Sequence, residues 1–183
     1  MSYFNIVAET SENTVVAEYE PVKKRSDSYQ SEAALEQEFI RLLCEQGYEY
    51  LPIHTEKDLI ANLRNKLEEL NNYQFSDREW DAFFKNVIAN ANEHIVEKTR
   101  KIQEDNIQVL TRDDGSSKNI TLIDKKNIHS NRLQVINQYV IGTEEGAVHD
   151  NRYDVTVLVN GFPLVHVELK RRGVAIREAF NQI

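Results

Sequence analysis

Asp154, Glu168 and Lys170 are the residues whose types and spacing could do chemistry. They lie in the run Arg152-Tyr153-Asp154-Val155-Thr156-Val157-Leu158-Val159-Asn160-Gly161-Phe162-Pro163-Leu164-Val165-His166-Val167-Glu168-Leu169-Lys170. Two valine-rich stretches joined through Asn160-Gly161 read as a β-hairpin. Strand side chains alternate between faces, so Glu168 and Lys170 stand side by side while Leu169 points into an apolar layer. Two carboxylates and an amine at the end of one hairpin suit metal-assisted hydrolysis of a phosphodiester. Mg²⁺ takes hard oxygen ligands and keeps several waters. Asp154 and Glu168 can supply such oxygens, with the backbone carbonyl of Leu169 as a third. The metal would lower the pKa of a bound water and offset phosphate charge. Lys170 would orient that water or stabilise the charge of the transition state. An acid-x-base step on a strand is also what a surface ion pair looks like, so the spacing alone leaves both readings open. His166 reads as a ligand or a packing residue. His54, His94, His129 and His149 have no ligand spacing between them.

Whether Asp154 joins the other two depends on register. A two-residue type I′ turn would pair Val159 with Phe162 and place Asp154 opposite Val167, on the wrong face. A three-residue loop with a left-handed bulge at Gly161 would pair Leu158 with Phe162. Asp154 would then face His166 and lie diagonal to Glu168. The second register collects the valines and Leu169 on one side, and the apolar pattern predicts it.

Other elements must hold this hairpin in place. Residues 1–30 form a lead-in with one strand expected at Thr14–Tyr19. Ser31 caps a helix expected to run to about Gly47, with Glu32 favourable in its first turn. At 100° per residue, Leu35, Phe39, Ile40, Leu42 and Leu43 share a face. Glu36 falls inside that face and Glu38 outside it. A carboxylate aimed at a core is costly without a partner, although one near a helix start can also escape to solvent. A helix follows Thr55 on Leu59, Ile60, Leu63, Leu67 and Leu70. Ser76 with Glu79 forms a capping box, and Phe75 with Trp80 a hydrophobic staple. Trp80, Phe83, Phe84, Val87 and Ile88 then line one face, as core residues or as a stacking platform for bases. Another helix is expected from about Asn92 to Glu104. Near Asn106 the period shifts to two, giving a hairpin of Ile107–Thr111 with Asn119–Ile123 and a strand at Leu133–Ile141. From about Val174 the chain turns helical on Ile176, Ala179, Phe180 and Ile183. No terminating signal follows, and the chain is expected to be a fragment of a longer protein.

The chain has 183 residues and a formal net charge of −8, with 40% hydrophobic residues. That composition fits one ordinary globular domain. No apolar run is long enough for a transmembrane helix, and the start has no signal-peptide pattern. A single cysteine excludes an internal disulfide and a multi-cysteine zinc cage, and cytosol is the expected compartment. No phosphate-cradling glycine motif occurs. The acidic total argues against non-specific nucleic-acid binding. Residues 151–183, however, carry five basic against three acidic residues. A local basic patch could meet phosphate or be a solvated loop.

At these residues the chain resembles a known family. Asp154…Glu168-Leu169-Lys170 is similar to the PD-(D/E)xK nuclease motif. Val135-Ile136-Asn137-Gln138-Tyr139, Asp154-Val155, Asn160-Gly161-x-Pro163-Leu164-Val165 and Glu178-Ala179-Phe180-Asn181-Gln182 extend the likeness. Together they resemble the N-terminal nuclease domain of the restriction (R) subunit of type I restriction enzymes, from about residue 31 onward. The resemblance implies an α+β, restriction-endonuclease-like core: a mixed sheet flanked by helices, with a helical insertion at about 55–105 and its last strand beyond Ile183. It implies Mg²⁺-dependent cleavage of double-stranded DNA beside modification and specificity subunits, with an ATP-driven motor elsewhere in the full-length subunit and no membrane partner. Asp154 and Glu168 would hold the metal, Lys170 would be the catalytic lysine, and Glu36 would be the acid of the first helix. Gln182 would be the glutamine of a Q-x-x-x-Y motif. Arg171, Arg172 and Arg177 would meet DNA. Tyr153 stands where the family has proline. The isolated fragment is expected to be feeble or inactive. A non-catalytic DNA-binding or docking module and a standalone repair or resolving nuclease are the alternatives.

Overall fold

The computed structural model describes residues 3–9, 15–20, 31–141 and 151–170. Contacts divide the chain into two units, Met1–Gln30 and Ser31–Ile183. In the first unit, strands β1 (Tyr3–Glu9) and β2 (Val15–Glu20) pair antiparallel, with a register shift between Ile6 and Ala8. β2 is the strand expected at Thr14–Tyr19, and β1 is an addition to the sequence reading.

The second unit begins with α1 (Glu32–Glu45), where the Ser31 side chain accepts a hydrogen bond from the Ala34 N–H at 3.2 Å. Such a cap satisfies one of the unpaired amides of the first turn. A short strand β3 (Glu49–Tyr50) follows. Next comes α2 (Glu56–Asn71), capped in the same way by Thr55. α3 (Asp77–Phe83) runs into a π-helical turn at Phe84–Ile88. α4 (Ile95–Gln103) closes the helical stretch. Strands β4 (Ile107–Thr111) and β5 (Ser117–Thr121) make a separate hairpin. β6 (Leu133–Ile141), β7 (Asn151–Val159) and β8 (Phe162–Val167) complete the main sheet. Its order is β3-β6-β7-β8, with β3 parallel to β6 and the other neighbours antiparallel. This mixed sheet with its helices is the α+β arrangement the sequence predicts. Because β3 pairs with β6, α2 to β5 lie between two neighbouring strands as one excursion.

Two apolar clusters anchor the sheet. The larger joins Leu63 and Leu67 of α2, Phe75, Trp80, Phe83, the β4–β5 hairpin and Phe162 at the start of β8. Trp80 and Phe83 are buried in it, so the aromatic stripe is core and not a platform for bases. Phe75 meets Trp80 edge-on at 5.4 Å, as the staple requires. The smaller cluster joins Ile53, Ile136, Tyr139 and Leu158. One apolar expectation is corrected. Leu42 lies on the apolar face of α1 by its spacing, yet it is exposed, and the buried residue of that helix is Glu36.

Glu79 ties the start of α3 to the β4–β5 hairpin. Its buried carboxylate accepts from the N–H of Ser76 (3.0 Å), the N–H of Asp113 (3.1 Å) and the Tyr73 hydroxyl (2.8 Å). Desolvation pushes its pKa up, but these donors outweigh it and hold the pKa below the ordinary glutamate value of 4.5. A lowered folded pKa means the stabilisation is present above that value and lost as pH falls through the folded one. Glu79→Gln is therefore expected to cost about 1–3 kcal/mol at neutral pH. The difference should shrink as pH falls below that ordinary value, measured by denaturant unfolding across pH.

Candidate active site

The β7–β8 hairpin turns on two residues, not three. Asn160 (φ 50°) and Gly161 (φ 84°) are both left-handed, and Val159 pairs with Phe162. This type I′ geometry replaces the expected loop that paired Leu158 with Phe162. The reason lies in the fully buried Asn160. Its side-chain amide donates to the Leu122 carbonyl at 3.1 Å and to Asn131 Oδ1 at 2.8 Å. Its Oδ1 accepts from the Arg132 N–H at 2.8 Å, and its own N–H donates to the Arg132 carbonyl at 2.9 Å. These bonds stabilise a backbone conformation that asparagine tolerates better than most residues.

A regular two-residue hairpin would send Asp154 to the wrong face, but this one is not regular. The register shifts between Val157 and Leu158: Leu158 pairs with Pro163, then Val157 with Val165, skipping Leu164. Pro163 has no N–H for the ladder, and proline in sheets is found at such irregular steps. Beyond the bulge Thr156 pairs with His166 and Val155 with Val167. Thr156, not Asp154, faces His166, which corrects the expected pairing. Asp154 and Glu168 fall at matching positions one step further on. The bulge thus returns Asp154 to the side of Glu168 by another route.

Three groups of the predicted constellation meet there. Asp154 Oδ2 accepts from the Leu169 N–H at 2.8 Å. Lys170 Nζ donates to Glu168 Oε1 at 2.6 Å and lies 4.0 Å from Glu32 Oε2. The bond to Glu168 raises the Lys170 pKa, partial desolvation opposes it, and the charges of Glu168, Glu32 and Asp154 add to the rise. Lys170 is therefore a cation set among three acids. Glu32 is the one the sequence reading missed, since it reads as an ordinary first-turn acid of α1.

Glu36, one turn along α1, is buried, the inward of the two readings that its place on the helical wheel leaves open. Its partners come from β6. Asn137 Nδ2 donates to Oε1 at 2.6 Å, and Gln138 Nε2 donates to Oε2. His166 is held by packing and bonding: Nδ1 lies 2.9 Å from Thr156 Oγ1, and the Tyr153 ring stacks on it at 4.0 Å. Desolvation lowers its pKa. Gln182, Arg171, Arg172 and Arg177 lie outside the described residues.

Among the described residues, no group of three or more His, Cys, Asp or Glu is arranged to hold a metal ion. The chemistry of the donor set still fits Mg²⁺. Asp154 and Glu168 offer only hard oxygens, and an ion that keeps several waters needs few protein ligands. The Lys170 ammonium already sits on Glu168 as a positive charge would.

A family model described as the type I restriction enzyme R protein N terminus matches residues 29–183. The type I restriction enzyme EcoprrI endonuclease subunit of Escherichia coli is 48% identical over 178 residues, covering 97% of this chain and 56% of that protein. Type I restriction enzyme endonuclease subunits of Staphylococcus saprophyticus and Staphylococcus aureus are each 38% identical, covering 85% of this chain and 16% of theirs. The chain thus spans about half the length of the first relative and a smaller part of the others.

Proposed function

This chain belongs to the family of type I restriction enzyme R protein N-terminal domains, and from that premise we propose that it is a Mg²⁺-dependent endonuclease domain. Its substrate is the phosphodiester backbone of double-stranded DNA. Cleavage follows translocation by an ATP-driven motor elsewhere in the full-length subunit, beside modification and specificity subunits in the cytosol. The observation that carries this reading is the Lys170 ammonium held 2.6 Å from Glu168, with Asp154 and Glu32 bearing on the same charge.

Asp154 and Glu168 would hold the metal, with the Leu169 carbonyl as a further oxygen and Glu36 as the acid reaching in from α1. Bound Mg²⁺ would make a water acidic enough to attack and would offset charge on the phosphate. Lys170 donates to a non-bridging oxygen and stabilises the negative charge that builds as the water oxygen, its proton passing to solvent, adds to phosphorus and the bridging P–O bond breaks, the departing oxygen taking up a proton from solvent. The Leu169 N–H fixes one Asp154 oxygen and leaves the other for the site. Gln182 assists at the same centre, and Arg171, Arg172 and Arg177 contact the DNA backbone.

The test uses the full-length subunit with its partners, ATP and an unmethylated circular DNA. Chelation of Mg²⁺ stops ATP turnover as well, so the decisive variant is Glu168→Gln. DNA linearisation is expected to fall at least about 100-fold, while ATP turnover stays within twofold. Unchanged linearisation would leave the chain a non-catalytic DNA-binding or docking module.

A further inference from the structure

We infer that Asn137 and Gln138 are positioning residues for this reaction, a pair of amides that together fix the Glu36 carboxylate against β6, beside the rung that carries Asp154. The inference rests on the nuclease reading and adds to it the part of β6.

Neighbouring residues of a regular strand point to opposite faces. Asn137 and Gln138 are neighbours in β6, yet both side-chain amides donate to the two oxygens of one carboxylate. The backbone of Gln138 resolves the conflict. Its φ of 53° is left-handed, which breaks the alternation and swings its side chain to the side of Asn137. A non-glycine residue in that region is uncommon, and such conformations persist where surrounding structure holds them.

Its place in the ladder matters as much. Asn137 pairs with Val155 and Tyr139 with Tyr153. The rung between them, skipped in the pairing, belongs to Gln138 and Asp154. The kink thus stands directly across from the proposed metal-holding aspartate. On the far side of β6, the Tyr50 hydroxyl of β3 donates to Asn137 Oδ1 at 2.9 Å. That bond assigns the orientation of the Asn137 amide and turns its NH₂ toward Glu36. The path therefore runs from Tyr50 through Asn137 to Glu36. One turn before Glu36, Glu32 lies 4.0 Å from Lys170, so the same helix faces the catalytic cluster. Fastening α1 to the sheet alone would need only apolar side chains. A buried carboxylate gripped by two amides, one of them on a left-handed residue, suits orientation instead.

Gln138→Gly tests this, because glycine keeps the left-handed backbone without strain and deletes the amide. The experiment uses the full-length subunit with its partners. Mn²⁺ binding is read by electron paramagnetic resonance, and the Mg²⁺ requirement by DNA linearisation. In Gln138→Gly, Mn²⁺ affinity is expected to fall about 10-fold and the Mg²⁺ concentration for half-maximal cleavage to rise similarly, with thermal unfolding unchanged. In a Glu36→Gln background the same substitution should have no further effect, since it acts through Glu36. If Gln138→Gly does not fold, Asn137→Ala poses the same question with the backbone untouched. Unchanged Mn²⁺ affinity, or an equal loss in the Glu36→Gln background, would overturn the inference. Glu168→Gln separates the two failures: loss of cleavage there with normal Gln138→Gly defeats the amide clamp alone, whereas unchanged cleavage there defeats the nuclease reading.

Discussion

Lys170→Ala is expected to lower DNA linearisation by at least about 100-fold while leaving ATP turnover by the full-length subunit unchanged. The side chain is held 2.6 Å from Glu168 and within 4.0 Å of Glu32. Glu168 raises its pKa first, against partial desolvation. Set against Glu168 and Glu32, its ammonium is placed to act as a positive charge. Its contribution is largest when negative charge builds on the phosphoryl oxygens, which gives the effect its size. Lys170→Arg keeps the charge but replaces a compact ammonium by a planar fork, and it is expected to recover only part of the loss. A cleavage rate within threefold of the parent in Lys170→Ala would remove Lys170 from the reaction. Equal losses of cleavage and ATP turnover would point instead to damage beyond this site.

The parts of this site that were legible in the sequence are those set by a single element's period. Glu36 turns inward because 100° per residue puts it among Leu35, Phe39 and Leu43, and it is buried. Ser76 and Glu79 form their capping box because the motif is local. The partners of Glu36 were not legible. Alternation sends Asn137 and Gln138 to opposite faces, and only a left-handed φ at a glutamine undoes that. The hairpin turn shows the same limit. Asn160-Gly161 is a type I′ signal in itself, but sorting the valines argued for a longer loop. That sorting assumed one register along the whole hairpin, and a bulge beside Pro163 breaks it. Both faces of β7 are also covered at its centre, where Val155, Thr156 and Leu158 are all buried. A strand covered on both faces gives the apolar pattern little power to choose a register. What selects the short turn is distant in sequence: the hydrogen bonds of Asn160 to Leu122, Asn131 and Arg132.

Gly161→Ala should be the most damaging single methyl group in the hairpin. At φ 84° an alanine sits in the left-handed region, which costs about 1–2 kcal/mol. The added Cβ would also lie 2.6 Å from the Leu63 Cα and 3.0 Å from the Leu63 N. Those are backbone atoms of α2, so no side-chain rotation relieves the overlap, and forced repacking adds about 1–3 kcal/mol. Gly115 is the internal control. It has nearly the same φ, 81°, in the turn between β4 and β5, and a methyl group added there would meet nothing within 4 Å. Gly115→Ala should therefore show the conformational cost alone, and the difference between the two variants isolates the collision with α2. At about 2–4 °C per kcal/mol for a chain of this size, Gly161→Ala is expected to lower the melting temperature by about 5–15 °C, and Gly115→Ala by less than half as much. Scanning calorimetry of the two variants measures both shifts. Equal shifts would mean that α2 does not press on the turn as closely as the geometry requires. A larger loss in Gly161→Ala would identify that contact as the restraint on the two strands carrying Asp154 toward Glu168.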